Sequence, residues 1–235
     1  ALPIYRHLDY EHLNTLLKKY RKNYKKALIV TESLFSMDGD IADDSQLVPL
    51  KKEHDCLLMV DEAHAIGLYE HGQGSSYNNR KYIDLTVATF GKALGSYGAF
   101  VGCSNDMRSY LINKASSFIY STALPLPVIQ FNIACLALLP TLQSVRKQLQ
   151  LNTKFFREQL ADMSLDVLGM SNIVPICFDS LEKTLSCSNR LKKEGFLALP
   201  IRPPTVDAKR TRVRFSLCAT HTLDQLKSVC NAIRT

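Results

Sequence analysis

The pattern of apolar and polar residues along the chain predicts helices that alternate with short, buried strands. Asp9 is a suitable helix N-cap before apolar positions at helical spacing, and Ala27–Ser33 is rich in the branched residues of a strand. The step repeats with a helix that begins after Asp43 or Asp44 and a strand over Cys56–Glu62. Because strongly apolar strands between helices are typical of parallel sheets, we expect an α/β fold whose mostly parallel sheet is covered on both faces.

The rest of the pattern predicts two more strands and a second domain. The strands lie over Asp84–Lys92 and Gly98–Cys103, and a long apolar-periodic helix and a set of short alternating strands and helices follow them. We therefore expect three parts. They are the C-terminal portion of a large α/β domain over residues 1–127, a linking helix over 128–160 and a small α+β domain over 161–235.

Composition narrows the class of protein. An apolar content of 46% in 235 residues is enough for a real core. No apolar stretch approaches the roughly 20 residues of a membrane helix, and no signal peptide is evident at the N-terminus. We expect a soluble, cytoplasmic protein with no membrane partner. The seven cysteines form no C-x-x-C pair, so we expect no metal site and no disulfide framework, and most of the cysteines should be buried.

The net charge is +7, and the densest basic cluster is the segment Lys18–Lys26. Such a segment is compatible with nucleic-acid binding. It is also typical of the solvated C-terminal turn of a helix, where cations interact favourably with the helix dipole. We favour the second interpretation and expect no nucleic-acid partner, because a charge run alone carries little specificity. A basic surface would also suit an anionic cofactor or a coenzyme A thioester.

Polar residues follow three of the predicted strands where each apolar run ends. They are Glu32 with Ser36 and Asp38 after the first strand, Asp61 with His64 after the second, and Thr89 with Lys92 after the third. Ligands of open parallel sheets bind beyond the carboxyl ends of the strands. We therefore expect these side chains to converge on one ligand.

Lys92 has the surroundings of an imine-forming lysine. It lies in TFGKALGSYG, where glycines allow a tight loop, and a lysine held in such a loop can react with a carbonyl. A pyridinium ring conjugated to the imine stabilises a carbanion if its nitrogen stays protonated, and Asp61 is the candidate carboxylate for that task. His64 could contact the phenolic oxygen of the ring. The residues predict a pyridoxal-phosphate site, with candidate phosphate contacts from Thr89 and from Ser121 with Thr122.

Each of these residues also has a purely structural explanation. Asp61 could cap a turn, His64 could be a structural histidine, and Lys92 could be a surface lysine in a glycine-rich loop. Metal spacings of the HxxxH and HxH type, the phosphate loop GxxxxGK[ST] and the nucleophile motif GxSxG are all absent. The GQGSS run at Gly72–Ser76 is only a weak phosphate signal.

Five segments, in order over nearly the whole chain, resemble the α-oxoamine synthases, which are fold-type-I pyridoxal-phosphate enzymes. The segments are VTESLFSMDGD from Val30, LLMVDEAHAIGLYEHGQGS from Leu57, TFGKALGSYGAFV from Thr89, IYSTALP from Ile119, and IRPPTV from Ile201 with RVRFSL from Arg212. The family condenses an amino acid with an acyl thioester and releases carbon dioxide. The segments are most similar to the biotin-pathway branch, which uses L-alanine and a pimeloyl thioester of coenzyme A or acyl carrier protein.

The resemblance implies a role for each matching residue. Lys92 would hold the cofactor, Asp61 would face the pyridine nitrogen, and Thr205 and Arg214 would bind substrate, with Arg214 clamping its carboxylate. Ser36 and His64 would contact the phenolic oxygen, Thr89 would contact the phosphate, and Thr122 would reach the phosphate in the other subunit of a homodimer with shared active sites.

The resemblance also implies family elements before the position that matches Asp9. They are a ring-stacking histidine, a glycine-containing phosphate loop and a substrate arginine, and this chain, which opens with Ala1, has no counterpart. We expect a partial or processed chain. Two alternatives to the alanine-specific enzyme stay open, namely a sister synthase that uses glycine or serine with another acyl-CoA, and a non-catalytic homologue.

Overall fold

The computed structural model describes residues 2–234 and divides the chain into two compact units. The first unit comprises Ala1–Leu34 and Ala42–Thr141, and the second comprises Phe35–Ile41 and Leu142–Thr235. The short segment Phe35–Ile41 therefore belongs to the second unit although the first unit flanks it on both sides.

The first unit is built on a four-stranded sheet, sheet A. Its strands are β1 (Leu28–Glu32), β2 (Leu57–Asp61), β3 (Leu85–Thr89) and β4 (Ala99–Cys103), in the spatial order β1-β2-β3-β4. The first three strands are parallel, and β4 is antiparallel to β3. The prediction of a mostly parallel α/β sheet is confirmed.

Five helices belong to this unit. They are α1 (Tyr10–Tyr20), α2 (Asp44–Glu53), α3 (Asn105–Lys114), α4 (Ser116–Ile119) and α5 (Leu126–Leu138), with 3₁₀ turns at Arg21–Asn23, Glu70–Gly72, Tyr77–Tyr82 and Leu139–Thr141. The carboxylate of Asp9 accepts from the His12 amide at the start of α1, and that of Asp43 accepts from the Ser45 amide at the start of α2. Asp9 is thus an N-cap, as the sequence predicted, and of the two candidates Asp43 and Asp44 it is Asp43 that caps α2.

The two faces of sheet A differ in exposure. Ile29 is 4% exposed and Leu58 and Val60 are completely buried, whereas Leu28 and Val30 on the opposite face are 47% and 53% exposed. Within the described residues, the prediction that both faces are covered therefore holds for the first face, whereas the second face is exposed at β1 and buried at Leu85 of β3, which is 8% exposed. The second face remains apolar, and we call it the open face.

The basic segment begins in the last turn of α1, as we favoured from the sequence, and continues beyond the helix through the 3₁₀ turn at Arg21–Asn23. Lys18 and Lys19 lie in its last turn. Arg21 donates from Nε to the carbonyl of His54 at 2.7 Å and from Nη2 to that of Asp55 at 2.9 Å. This arginine therefore satisfies carbonyls at the C-terminal end of α2.

The second unit is an α+β unit, as predicted for the C-terminal part. Its elements are α6 (Gln143–Ala161), β5 (Asp166–Val167), β6 (Ile173–Phe178), α7 (Leu181–Lys193), β7 (Leu199–Ile201), β8 (Thr211–Ser216) and α8 (Leu223–Arg234). The strands pair in antiparallel fashion in the order β5-β6-β8-β7. Phe156 of α6 packs in the core with its ring centroid 5.3 Å from that of Phe215.

The predicted single linking helix over residues 128–160 is wrong. The structure has α5 and α6 in its place, separated by a 3₁₀ turn at Leu139–Thr141. Pro140 lies in this turn, and proline lacks an amide proton and clashes with the preceding helical turn. The apolar periodicity continues through the proline, so periodicity alone suggested one helix.

Between residues 2 and 234, no single helix combines the length and apolar character needed to cross a bilayer. In the described part of the chain, one pair of helices, Leu126–Thr141 with Gln143–Ala161, meets the criteria of length and composition together, and it is bent by 71°.

Candidate active site

The carboxyl ends of β1, β2 and β3 lie side by side at one edge of sheet A. Glu32 is the register partner of Asp61, and Asp61 is the partner of Val87. Beyond the strands, the amide of Ser33 donates to the carbonyl of Asp61 at 2.9 Å, and that of Glu62 donates to the carbonyl of Val87 at 2.7 Å. The structure therefore brings the predicted polar strand ends of the first unit to the same edge.

The turn after β2 fixes both Asp61 and His64. Oδ1 of Asp61 accepts a hydrogen bond from the amide of Ala63 at 2.8 Å. The amides of Ala65 and Ile66 donate to the carbonyl of Glu62 at 2.9 and 2.8 Å, which closes the turn that carries His64. Asp61 thus does cap a turn, and this bond orients its carboxylate at the strand end.

Glu62 points to the face of sheet A opposite to that of Asp61, because the side chains of adjacent residues in an extended strand alternate between the two faces. It is buried, and its carboxylate accepts from the Ser33 hydroxyl at 2.6 Å and from the amides of Ser75 and Ser76 at 3.1 and 3.0 Å. The serines of the GQGSS run therefore bind this internal carboxylate. Sequence reasoning treated the GQGSS run only as a weak phosphate signal and did not find that it binds Glu62.

Lys92 lies in the connection between β3 and β4, whose base is closed by backbone hydrogen bonds. The amide of Phe90 donates to the carbonyl of Gly98 at 2.9 Å, and that of Ser96 donates to the carbonyl of Phe90 at 2.8 Å. Leu94 anchors the loop, because it is buried against Phe90. Lys92 itself is exposed on this fixed loop.

Thr89 supports the same loop. Its hydroxyl donates to the carbonyl of Gly98 at 3.0 Å and accepts from the amide of Gly91 at 3.1 Å. Gly95 has a φ of +60°, in the left-handed region that favours glycine. Thr89 and Gly95 thus determine the backbone path around Lys92.

Ser121 and Thr122 lie on the exposed segment between α4 and α5. The Ser121 hydroxyl donates to the carbonyl of Ser117, one turn back. A side chain at the surface of the unit is accessible to a ligand or to another chain, which fits the role that the resemblance implied for Thr122.

The second unit holds the other predicted residues. Nη1 of Arg214 on β8 donates to the carbonyl of Ser36 at 2.9 Å, so these two residues lie together. Thr205 is in an exposed turn, where its amide donates to the carbonyl of Arg202 at 3.1 Å. This pair and Thr205 belong to one unit, and Asp61, His64, Thr89 and Lys92 belong to the other.

The first unit also contains a cavity of about 340 Å³, on the face of sheet A that carries Glu62. Its lining includes Glu62, Thr86 and Phe100 from the sheet side and Leu136 and Leu139 from the helical side. It is distinct from the predicted strand-end site, because Asp61 and Lys92 do not line it.

The donor set at the strand ends fits pyridoxal phosphate chemically. A primary amine, a carboxylate and an imidazole match an aldehyde, a pyridine nitrogen and a phenolic oxygen, whereas the single hydroxyl proton of Thr89 is donated to the Gly98 carbonyl. The loop also leaves room beside Lys92: a Cβ at Gly95 would have no neighbour within 4 Å, and one at Gly91 would have none closer than 3.6 Å.

Comparison with known proteins shows the family. Residues 3–233 match the family described as aminotransferase class I and II, and the chain belongs to that family. It is 40% identical over 234 residues to a protein of Desulfosudis oleivorans that is provisionally named 8-amino-7-oxononanoate synthase. This alignment covers 99% of the chain and 60% of the relative, so the chain spans about three-fifths of that relative's length.

Solved structures give the same picture. The fold matches a serine palmitoyltransferase from S. paucimobilis, with pyridoxal phosphate and myriocin bound, at a TM-score of 0.92 and 27% identity, covering 98% of this chain and 59% of that one. It also matches an 8-amino-7-oxononanoate synthase from Francisella tularensis at a TM-score of 0.82 and 29% identity, covering 98% and 67%. The predicted likeness to fold-type-I enzymes is thereby confirmed.

Proposed function

We propose that this chain carries part of the active site of an α-oxoamine synthase that condenses L-alanine with a pimeloyl thioester, yielding 8-amino-7-oxononanoate and carbon dioxide. The observation that carries the proposal is the alignment of the β2 and β3 ends, with Asp61 oriented by Ala63 and Lys92 on a fixed loop. The likeness to relatives named for this reaction supports the choice of substrates.

The proposed roles follow from the chemistry of the side chains. Pyridoxal phosphate, when bound, supplies a conjugated electron sink next to the substrate amine. Lys92 binds the cofactor through its amine and then removes the α-proton of alanine as a general base. Asp61 keeps the pyridine nitrogen protonated, and His64 donates a hydrogen bond to the phenolic oxygen.

The second unit would bind the substrate. Arg214 clamps the carboxylate of the amino acid through its guanidinium, and Thr205 contacts substrate from the exposed turn. Ser36 contacts the phenolic oxygen of the cofactor. We further propose that the protein is a cytoplasmic homodimer. In it, Ser121 and Thr122 contact the cofactor phosphate, and Thr122 reaches the phosphate in the active site of the partner subunit.

Absorbance spectroscopy tests the cofactor site. The purified chain should develop a visible absorbance band with pyridoxal phosphate, and reduction with borohydride should fix the cofactor on Lys92, as peptide mapping would show. Lys92→Ala should abolish the band, and Lys114→Ala, at the exposed end of α3, should leave it unchanged. An unchanged band in Lys92→Ala would refute the assignment, and no band in the wild-type chain would favour the non-catalytic homologue.

Product analysis tests the substrates. Alanine, glycine and serine are each supplied with pimeloyl, acetyl and palmitoyl thioesters, and the products are identified by mass spectrometry. A sister synthase is the second candidate, because the fold matches a serine palmitoyltransferase at a TM-score of 0.92. The expected product is 8-amino-7-oxononanoate, whereas a dominant glycine or serine product would assign the chain to the sister group.

A further inference from the structure

Arg212 lies two residues before Arg214 on β8, so both side chains project from the same face of the strand. Arg212 is 3% exposed, whereas Arg214 is only partly buried. Burying a guanidinium costs free energy unless it is paired and hydrogen-bonded. The contacts of Arg212 therefore indicate what it does in this unit.

Arg212 binds the segment Phe35–Ile41. Its Nη1 donates to the carbonyl of Met37 at 2.9 Å and forms an ion pair with the carboxylate of Asp38, and its Nε donates to the carbonyl of Arg210 at 3.1 Å. One buried side chain thus ties the residues that directly follow Ser36 to β8.

The rest of the segment is fixed by Gly39. Its carbonyl accepts from the amides of Met170 and Ser171 at 3.1 and 3.2 Å. Gly39 has a φ of +69°, and a Cβ there would lie 2.3 Å from the carbonyl oxygen of Ile173. Both ends of the Met37–Gly39 stretch are therefore held. The carbonyl of the preceding residue, Ser36, accepts the hydrogen bond from the guanidinium of Arg214.

We propose that Arg212, through its pair with Asp38, is a positioning residue for the carboxylate-binding Arg214. By fixing Met37 and Asp38, it holds the carbonyl of Ser36 where that group orients the Arg214 guanidinium toward the substrate. This inference rests on the proposed function. It adds to it, because the proposed function gives Arg212 no role, and the sequence led us to expect Asp38 at the ligand itself and not as the partner of an arginine.

Two ligands that differ only in a carboxylate distinguish an effect on the position of Arg214 from a general loss of stability. The chain loaded with pyridoxal phosphate is titrated with L-alanine and with ethylamine, which is alanine without its carboxylate, and binding is followed by the change in cofactor absorbance. Arg212→Met and Asp38→Asn should each weaken the binding of alanine at least about tenfold, because a misplaced guanidinium loses a charge-assisted hydrogen bond to the carboxylate. The affinity for ethylamine should stay within about twofold of the wild-type value. Arg210→Met, which removes an exposed arginine near the same strand, should change neither affinity.

A second measurement needs no cofactor. Amide hydrogen exchange of the unloaded chain should show faster exchange at Phe35 and Gly39 in Arg212→Met, with β6 and the rest of β8 still protected. If wild-type chain binds no pyridoxal phosphate, the proposed function fails while this exchange result still decides whether Arg212 holds the segment. Equal weakening of alanine and ethylamine, an unchanged alanine affinity, or unchanged exchange at Phe35 and Gly39 would overturn the inference.

Discussion

At the scale of single residues, Gly74 is constrained by the carboxylate beside it. A Cβ at Gly74 would lie 2.0 Å from Oε2 of Glu62, and the donors from Ser33, Ser75 and Ser76 prevent that carboxylate from moving. We expect Gly74→Ala to lower the free energy of unfolding by about 2 kcal/mol, as is typical of overpacking. Urea denaturation measures it, with Gly91→Ala as a control that should cost less; equal costs would contradict the explanation.

Asp44 gives a pH-dependent prediction. Burial raises the pKa of its carboxyl, and the charge of Glu62 adds to the effect. A raised folded-state pKa means that the native chain binds the proton more tightly, so this group costs stability as the pH rises through that pKa. We expect Asp44→Asn to raise the free energy of unfolding at pH 7, with the gain shrinking toward pH 3. A gain independent of pH would refute this cause.

Sequence reasoning did not predict the contacts between residues that are far apart along the chain. Arg212 and Asp38 are 174 positions apart, and Glu62 is bound partly by backbone amides, which every residue type except proline provides. Asp61 and Lys92 could be proposed as site residues from the sequence, because a polar residue that follows an apolar run can be recognised without knowing the fold. Thr89 was singled out as a phosphate contact, but its hydrogen bonds to Gly91 and Gly98 depend on the folded loop.

At the scale of elements, β1 allows a comparison of two adjacent side chains. Ile29 is 4% exposed and Val30 lies on the open face at 53%. We expect Ile29→Ala to cost about 2–4 kcal/mol and Val30→Ala less than about 1 kcal/mol, because only the first substitution leaves a cavity. Chemical denaturation of the two variants checks this. Similar costs would mean that the open face is covered in solution.

The elements also show where patterns succeed and fail. The strands of sheet A were predicted from runs of branched residues, and the starts of α1 and α2 from Asp9 and from the pair Asp43 and Asp44, because burial and capping depend on local sequence. The prediction of a single linking helix was wrong because the apolar periodicity was given more weight than Pro140. The prediction that both faces of sheet A are covered failed at β1, because the sequence pattern shows that a face is apolar but not which residues pack on it.

At the scale of the whole molecule, the cysteines are distributed over both units and all are free thiols. Four are buried, as the sequence predicted for most of them, and burial raises the pKa of the Cys230 thiol to about 11. Cys218 is exposed. We expect a thiol reagent at pH 8 to modify Cys218 first and Cys230 only after denaturation, since the thiolate is the reactive form. Mass spectrometry of partly modified chains identifies the order.

The attachment of Phe35–Ile41 to the second unit has a consequence for cleavage. A protease that cuts between Thr141 and Leu142 yields an N-terminal fragment that still contains this segment, and the C-terminal fragment retains Arg212, Arg214 and the amides that bind it. The two fragments should therefore co-elute as one species in native size-exclusion chromatography and separate only in denaturant. Fragments that separate in native buffer would show that these hydrogen bonds do not hold the segment. The continuous covalent chain is thus not the only connection between the two halves of the sequence.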